Sequence, residues 1–236
     1  MHNKHRKSLR GTYAHMRRHH AGAVRRELAG FKPRSDPAQR KARFDALFIR
    51  RIGEGNSGDV RKFLENGADP NIRGPDNRTA LMIAASGGRK DIVACILEKK
   101  NAEVDARDHD GATALMQVVR GERTDIATML MDHGADVNAK DDYGRTVMME
   151  AVYQGRTGTA EMLIDAGALV DATDNYDETA LMVAVYKGFP ETAEMLMRRG
   201  ADVNARDKDN ETVLAIALKC GRTEMADMLR QHGAKE

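Results

Sequence analysis

The sequence predicts an all-α solenoid: stacked helix-turn-helix units joined by β-turn-like loops. Three observations predict it. The phrase "TALM" begins at Thr79, Thr113 and Thr179, and its variants "TVMM" and "TVLA" begin at Thr146 and Thr212, giving spacings of 34, 33, 33 and 33 residues. A second phrase keeps the same step, with "GADP" at Gly67, "GADV" at Gly134 and Gly200, "GALV" at Gly167 and "GAKE" at Gly233. Between the phrases, apolar residues recur at helical spacing and stop at glycine, which readily takes the left-handed conformation that closes a helix. A period of this length marks units that bury their apolar faces only against one another.

Residues 1–43 come first. They carry 13 Lys/Arg against Glu27 and Asp36, a net +11, which leaves −9 on the rest of a chain whose total is +2. Such a run reads as a basic, disordered N-terminal tail. Clustered Arg17, Arg18, Arg25 and Arg26 are its candidate contacts to a nucleic acid or another polyanion, through counterion release. The segment is also Arg-rich and acid-poor, as nuclear and organellar targeting segments are. Leu9, Tyr13, Met16, Val24 and Leu28 fall on one helical stripe, so a helix formed on binding is a further reading. At low salt the tail could instead fold back on the acidic body. His15, His19 and His20 lie close together, but no carboxylate or cysteine completes a metal-ligand set and no metal is assigned. Pro33 and Pro37 mark the junction between tail and repeats.

The repeat domain is expected over 44–236. A partial unit, 44–73, lacks the Thr phrase and should cap the stack. Full units succeed it at 74–107, 108–140, 141–173, 174–206 and 207–236. Unit four shows the plan. After Thr146, Met148, Met149, Ala151 and Val152 supply one apolar face, and Gly155 stops the first helix. Ala160, Met162, Leu163 and Ile164 supply the face of a second helix, which Gly167 ends. The Asp- and Asn-rich stretch "ALVDATDNYDE" then turns into unit five. Unit two departs from the plan by one extra residue near "EKKNAEVD" and has no glycine before Ala102. Unit three has Glu122 where the others have glycine. Strain in that turn and local mobility over residues 98–123 are expected.

These residues resemble the ankyrin repeat family, whose unit has 33 residues, a Thr-Pro-Leu-His-x-Ala phrase and a Gly-Ala-Asp-x-Asn phrase. The likeness covers about residues 44–236. Ala80, Ala114, Val147, Ala180 and Val213 stand where the family has proline, which removes a preset φ at the first helical position. Met82, Met116, Met149, Met182 and Ala215 stand where it has histidine, exchanging a hydrogen-bonding ring for flexible apolar packing.

The resemblance implies that the turn tips and the adjacent ends of the first helices form a concave groove that contacts a protein partner. Tyr143 and Tyr176 fall at tips of units four and five, and Tyr153 and Tyr186 at the ends of their first helices. The chain has five tyrosines and no tryptophan, yet four of the five form these two pairs one period apart. Tyrosine offers a large, fairly rigid apolar area with a hydroxyl that can stay wet, so the four are the expected anchors. The alternative is duplication of two units that kept their surface tyrosines. Asp142, Arg145, Glu150, Gln154, Asn175, Glu178 and Lys187 supply a polar rim. His109 and Arg120 extend the surface into unit three, and Lys208 and Lys219 into unit six.

No catalytic, cofactor or metal site is expected. Cys95 sits on an apolar helix face as inert core, and Cys220 lies nearer the surface with no activating base beside it. Two cysteines are too few for a disulfide framework and suit a reducing compartment. The expected location is intracellular and cytoplasmic, unless the tail directs the chain to a nucleus or organelle. "IGEGNSGD", from Ile52 to Asp59, has the glycines of a phosphate loop but joins two helices and lacks the Lys-Ser/Thr ending. Asp69, Asp136, Asp171 and Asp202 are spread one per unit, as turn formers rather than an acid–base pair. No apolar run approaches the roughly 18 residues of a membrane span. The expected protein is thus a monomeric, non-enzymatic module that binds a protein partner in the groove. The alternative is a nucleic-acid-associated protein whose tail supplies affinity while the repeats recruit a second component.

Overall fold

The computed structural model describes residues 36–235. The expectations for Arg17, Arg18, Arg25 and Arg26, and for His15, His19 and His20, lie outside these residues. Among the described residues, twelve α-helices form six helix-turn-helix pairs. They are α1 (Pro37–Glu54) with α2 (Ser57–Glu65), α3 (Ala80–Ser86) with α4 (Lys90–Leu97), and α5 (Ala114–Arg120) with α6 (Thr124–Asp132). The stack continues with α7 (Val147–Tyr153) and α8 (Thr157–Asp165), α9 (Ala180–Lys187) and α10 (Pro190–Arg198), and α11 (Val213–Lys219) and α12 (Thr223–Gln231). Isolated bridges Arg73–Thr79, Lys140–Thr146, Thr173–Thr179 and Arg206–Thr212 close four of the turns between pairs.

Helix α1 starts at Pro37, ahead of the boundary drawn at residue 44. Asp36 accepts the Ala38 N–H at 3.2 Å, and Pro37 takes a position where a missing N–H costs nothing. Residues 37–43 are therefore the first turns of the cap helix and not tail. The pair Asp36-Pro37 is itself a helix-start signal that the charge count obscured.

Every later unit opens on a buried threonine. Thr79, Thr113, Thr146, Thr179 and Thr212 each accept the N–H three residues on, at 3.1 to 3.4 Å. This cap satisfies one orphan donor per helix without the family's proline. In two units methionine does more than pack: the sulfurs of Met82 and Met182 accept the N–H of Thr79 and Thr179 at 3.4 and 3.5 Å. The turn after each first helix needs a left-handed residue, which Gly55, Gly88, Gly155, Gly188 and Gly221 supply at φ 67° to 77°. Glu122 is forced into the same region at φ 60°, as its place in the period implies.

The second helices begin just past these turns, at Arg89, Arg123, Arg156, Phe189 and Arg222, and these side chains reach back over the preceding unit. Arg89 donates to the Gly53 carbonyl at 3.4 Å, and Arg156 donates to the Val119 carbonyl. Arg123 lies against Gly88 and Arg222 against Gly188 so closely that a Cβ on the glycine would collide, and the Phe189 ring packs tightly on Gly155.

One continuous core runs from Phe48 to Leu229. The first helices meet through small, fully buried residues, Ala84, Ala151, Ala184 and Ala217. From unit two onward they pack on one another more closely than the second helices do. The stack therefore bends, with the first helices and the turn tips on its inner side.

Two ladders of hydrogen bonds tie unit to unit. In one, the side chains of Asn71, Asp105, Asn138, Asp171 and Asn204 accept the N–H of Glu103, Asp136, Leu169, Asp202 and Lys235 at 2.8 to 2.9 Å. In the other, the N–H groups of His109, Asp142, Asn175 and Lys208 donate to the carbonyls of Asp76, Asp110, Tyr143 and Tyr176 at 3.0 to 3.2 Å. The extra residue of unit two is absorbed where Ala102 N–H returns to Lys99 O, and Asn71 still finds its partner 32 residues away where the later rungs span 31.

Candidate interaction groove

Asp141 and Asp174 set the two tyrosine tips. The Asp141 carboxylate accepts the N–H of Tyr143 and Arg145 at 3.0 and 2.9 Å, and that of Asp174 accepts Tyr176 and Glu178 at 2.7 and 3.1 Å. The same side chain-to-backbone turn recurs one period apart, so the rings leave their tips alike. Tyr153 is the last residue of α7 and Tyr186 lies in the last turn of α9. The four rings remain 48 to 63% exposed, in a structure whose other large apolar side chains are mostly covered.

They border two adjoining hollows. The first, of about 410 Å³, is lined by Tyr143, Arg145, Met149, Glu150, Tyr153, Asp174, Tyr176, Glu178 and Val183. The second, of about 490 Å³, is lined among others by Tyr153, Glu178, Met182, Val183, Tyr186, Lys187, Asp207, Asp209, Glu211 and Lys219. Tyr153, Glu178 and Val183 belong to both, so the hollows form one groove with an apolar floor and an aromatic, charged wall.

Several of the charges are already matched. Arg145 holds Asp141 through Nε and Nη2 at 3.1 and 2.9 Å, and its guanidinium lies 4.9 Å from the centre of the Tyr143 ring. Arg120 pairs with Glu150 at 3.1 Å, and Gln154 donates to the same carboxylate at 3.1 Å. The Lys187 ammonium sits 3.5 Å over Tyr153. Lys219 pairs with Glu211 at 2.8 Å. Glu178 differs. Burial, and after it the neighbouring charges of Asp174 and Asp207, hold its carboxyl above the ordinary glutamate range. It forms no ion pair among the described residues.

The expected site residues thus divide. Tyr143, Tyr153, Tyr176, Tyr186, Arg145, Glu178 and Lys187 come together around the hollows. Arg120 and Gln154 support Glu150 without lining either hollow, and Lys208 is spent on the Asn175 carbonyl. His109 stands apart at the tip of unit three, exposed beside Asp110 at 3.2 Å. Sequence reasoning did not place the floor residues Met149 and Val183, or the acidic wall of Asp174, Asp207 and Asp209. Their period was readable: Asp207 repeats Asp174 one unit on. Cys95 is buried, with Arg61 donating to its sulfur at 3.3 Å, and Cys220 is exposed at the edge of the second hollow. No helix among the described residues is long and apolar enough to cross a membrane.

Comparison with known proteins agrees with this architecture. A family model for ankyrin repeats matches three times, over residues 50–141, 96–174 and 148–236. Serine/threonine-protein kinase 12 of Arabidopsis thaliana is 38% identical over 81 residues, which are 34% of this chain and 17% of that protein. The chain therefore spans about a sixth of that relative's length. Among solved structures, the ankyrin repeat domain of Bcl-3, a member of the IkappaB protein family, superposes with a TM-score of 0.73 at 26% identity, covering 78% of this chain and 81% of that one.

Proposed function

The chain belongs to the ankyrin repeat family, a family of protein-interaction modules, and from that premise we propose that it binds a protein partner in the groove of units four and five, with Tyr143, Tyr153, Tyr176 and Tyr186 as anchors. The observation that carries this reading is the placement of four exposed tyrosines around one groove in a chain with no tryptophan. A ring of this kind, entering a partner's pocket, removes much apolar area from water for little loss of rotamer freedom. Arg145 and Lys187 hold two of the rings by cation–π contact, so part of the ordering cost is met before binding.

The module acts without chemistry of its own. The likeness to a kinase extends over 81 residues and brings no phosphotransfer to this chain. A second reading, polyanion binding by residues 1–43, is favoured by their net +11.

Affinity capture from the source cell with nuclease present separates the two. The baits are the full chain, the full chain with the four tyrosines changed to alanine, and the full chain with Arg17, Arg18, Arg25 and Arg26 changed to alanine. The groove reading expects a protein that survives nuclease and the arginine changes but is lost with the tyrosines. Each single tyrosine anchor should weaken it by about 30-fold, an effect of about 2 kcal/mol. Retention by the four-alanine tyrosine variant overturns it.

A further inference from the structure

Four of the six carboxylates that line the groove form no ion pair among the described residues, and of these Glu178 is the one on the wall shared by the two hollows. The position after each turn tip holds Arg78, Arg145, Glu178 and Glu211 in units two, four, five and six, and three of these four are engaged. Arg78 donates to Gln117 at 2.6 Å, Arg145 holds Asp141 at 2.9 Å, and Glu211 accepts Lys219 at 2.8 Å. Glu178, half-buried on the wall shared by the two hollows, has no such partner among the described residues.

Its surroundings point the same way. The two hollows are lined by six carboxylates, Glu150, Asp174, Glu178, Asp207, Asp209 and Glu211, against the three cations Arg145, Lys187 and Lys219. Arg145 and Lys219 are ion-paired, with Asp141 and Glu211, and Lys187 lies over the Tyr153 ring with no carboxylate partner among the described residues, so the groove keeps an excess of negative charge. Tyr143 and Tyr153 carry a cation over the ring, whereas among the described residues Tyr176 and Tyr186, on either side of Glu178, carry none. An unmatched carboxylate in hollows that it shares with exposed aromatic rings attracts a cation and repels an anion. A planar guanidinium fits best, because it can bond the carboxylate and stack on a ring at once.

Resting on the groove reading above, we propose that Glu178, with Tyr176 and Tyr186, forms a receptor for one arginine or lysine side chain of a basic peptide segment in the partner. The partner's segment enters the groove with its cation at the junction of the two hollows and its apolar neighbours over Met149 and Val183. Charge complementarity selects this occupant over an acidic peptide or a second copy of the acidic repeat face, whose residues from 44 on carry −9.

The test is selection of random 12-residue peptides displayed on phage, at about 0.15 M salt where distant charges are screened. The full chain, Glu178→Gln and the four-tyrosine alanine variant are used, each first checked for an unchanged helical spectrum. The wild-type chain should enrich peptides with Arg or Lys at one fixed position, and a synthetic version of the best peptide should bind Glu178→Gln about tenfold more weakly. Peptides that depend on the tyrosines but show no fixed basic position, or bind Glu178→Gln equally well, overturn the cation receptor and leave the groove reading standing. Absence of any peptide that depends on the tyrosines overturns both. Displacement of the selected peptide by a synthetic copy of residues 1–35, with the same dependence on Glu178, makes the chain's own N-terminal segment the occupant and overturns a partner in trans.

Discussion

At the scale of single residues, two positions break the repeat's local rules in opposite ways. Glu122 adopts φ 60° where five other units use glycine. Holding a Cβ in that region costs on the order of 1 kcal/mol, and glycine's larger unfolded freedom offsets part of the relief. Glu122→Gly should raise the thermal midpoint by roughly 2 °C, read by differential scanning calorimetry. Glu178 works through charge. Because burial lifts its folded pKa above the unfolded value, the ionised form opposes folding at neutral pH, and that penalty disappears as the pH falls through the raised folded value. Asp174, Asp207, Asp209 and Glu211 face it with like charge, and Arg145, Lys187 and Lys219 face it already engaged. Glu178→Gln should therefore be more stable at pH 7, by a margin that partial exposure keeps small, with the gain gone below about pH 4. Urea titrations at the two pH values measure it. The Glu122 strain was legible in the sequence, because only the period was needed to see a missing glycine. The isolation of Glu178 was not, because it depends on which neighbouring cations are already paired.

At the scale of the element, the rungs between units alternate in quality. Asn71, Asn138 and Asn204 each accept one bond and also donate their amide to the carbonyl of residue 101, 167 or 233, at 2.7, 3.1 and 3.4 Å. Asp105 and Asp171 accept the same bond but have no N–H to give. Asp105→Asn and Asp171→Asn should each add about 1 kcal/mol, whereas Asn138→Asp should remove as much. The thermal midpoints should move by roughly 2–4 °C in those directions. Unit two ends without the usual glycine turn and unit three carries the strained one, so amides in residues 98–123 should exchange with solvent faster than their counterparts one period later. Hydrogen exchange read by mass spectrometry decides this. The helices, their threonine caps and their glycine stops could all be read from spacing. The start at Pro37 was obscured by a charge count that ran through the helix, and the sulfur contacts of Met82 and Met182 by a view of methionine as filler.

At the scale of the molecule, each unit touches only its neighbours, so stability is a sum of local terms. Leu115→Ala in the middle of the stack, at a fully buried position, should cost about 2–5 kcal/mol through the cavity it leaves. It should also split one unfolding transition into two, seen in the urea dependence of tyrosine fluorescence (four of the five tyrosines lie in units four and five) against total helicity. The same near-neighbour design makes the solenoid a spring, and the back-reaching side chains set its stiffness junction by junction. Arg89 and Arg156 bolt a unit to the carbonyl behind it, and Arg123 and Arg222 fill the space over a glycine. Between units four and five the back-reaching arginine is replaced by the Phe189 ring packed on Gly155. That junction is clamped instead by Arg199 on Glu161 and Asp165, at 2.8 and 2.6 Å, and by the Thr157–Thr192 hydroxyl pair at 2.6 Å, so the coil that carries the tyrosines is riveted on its outer side and offers them as a preset jaw.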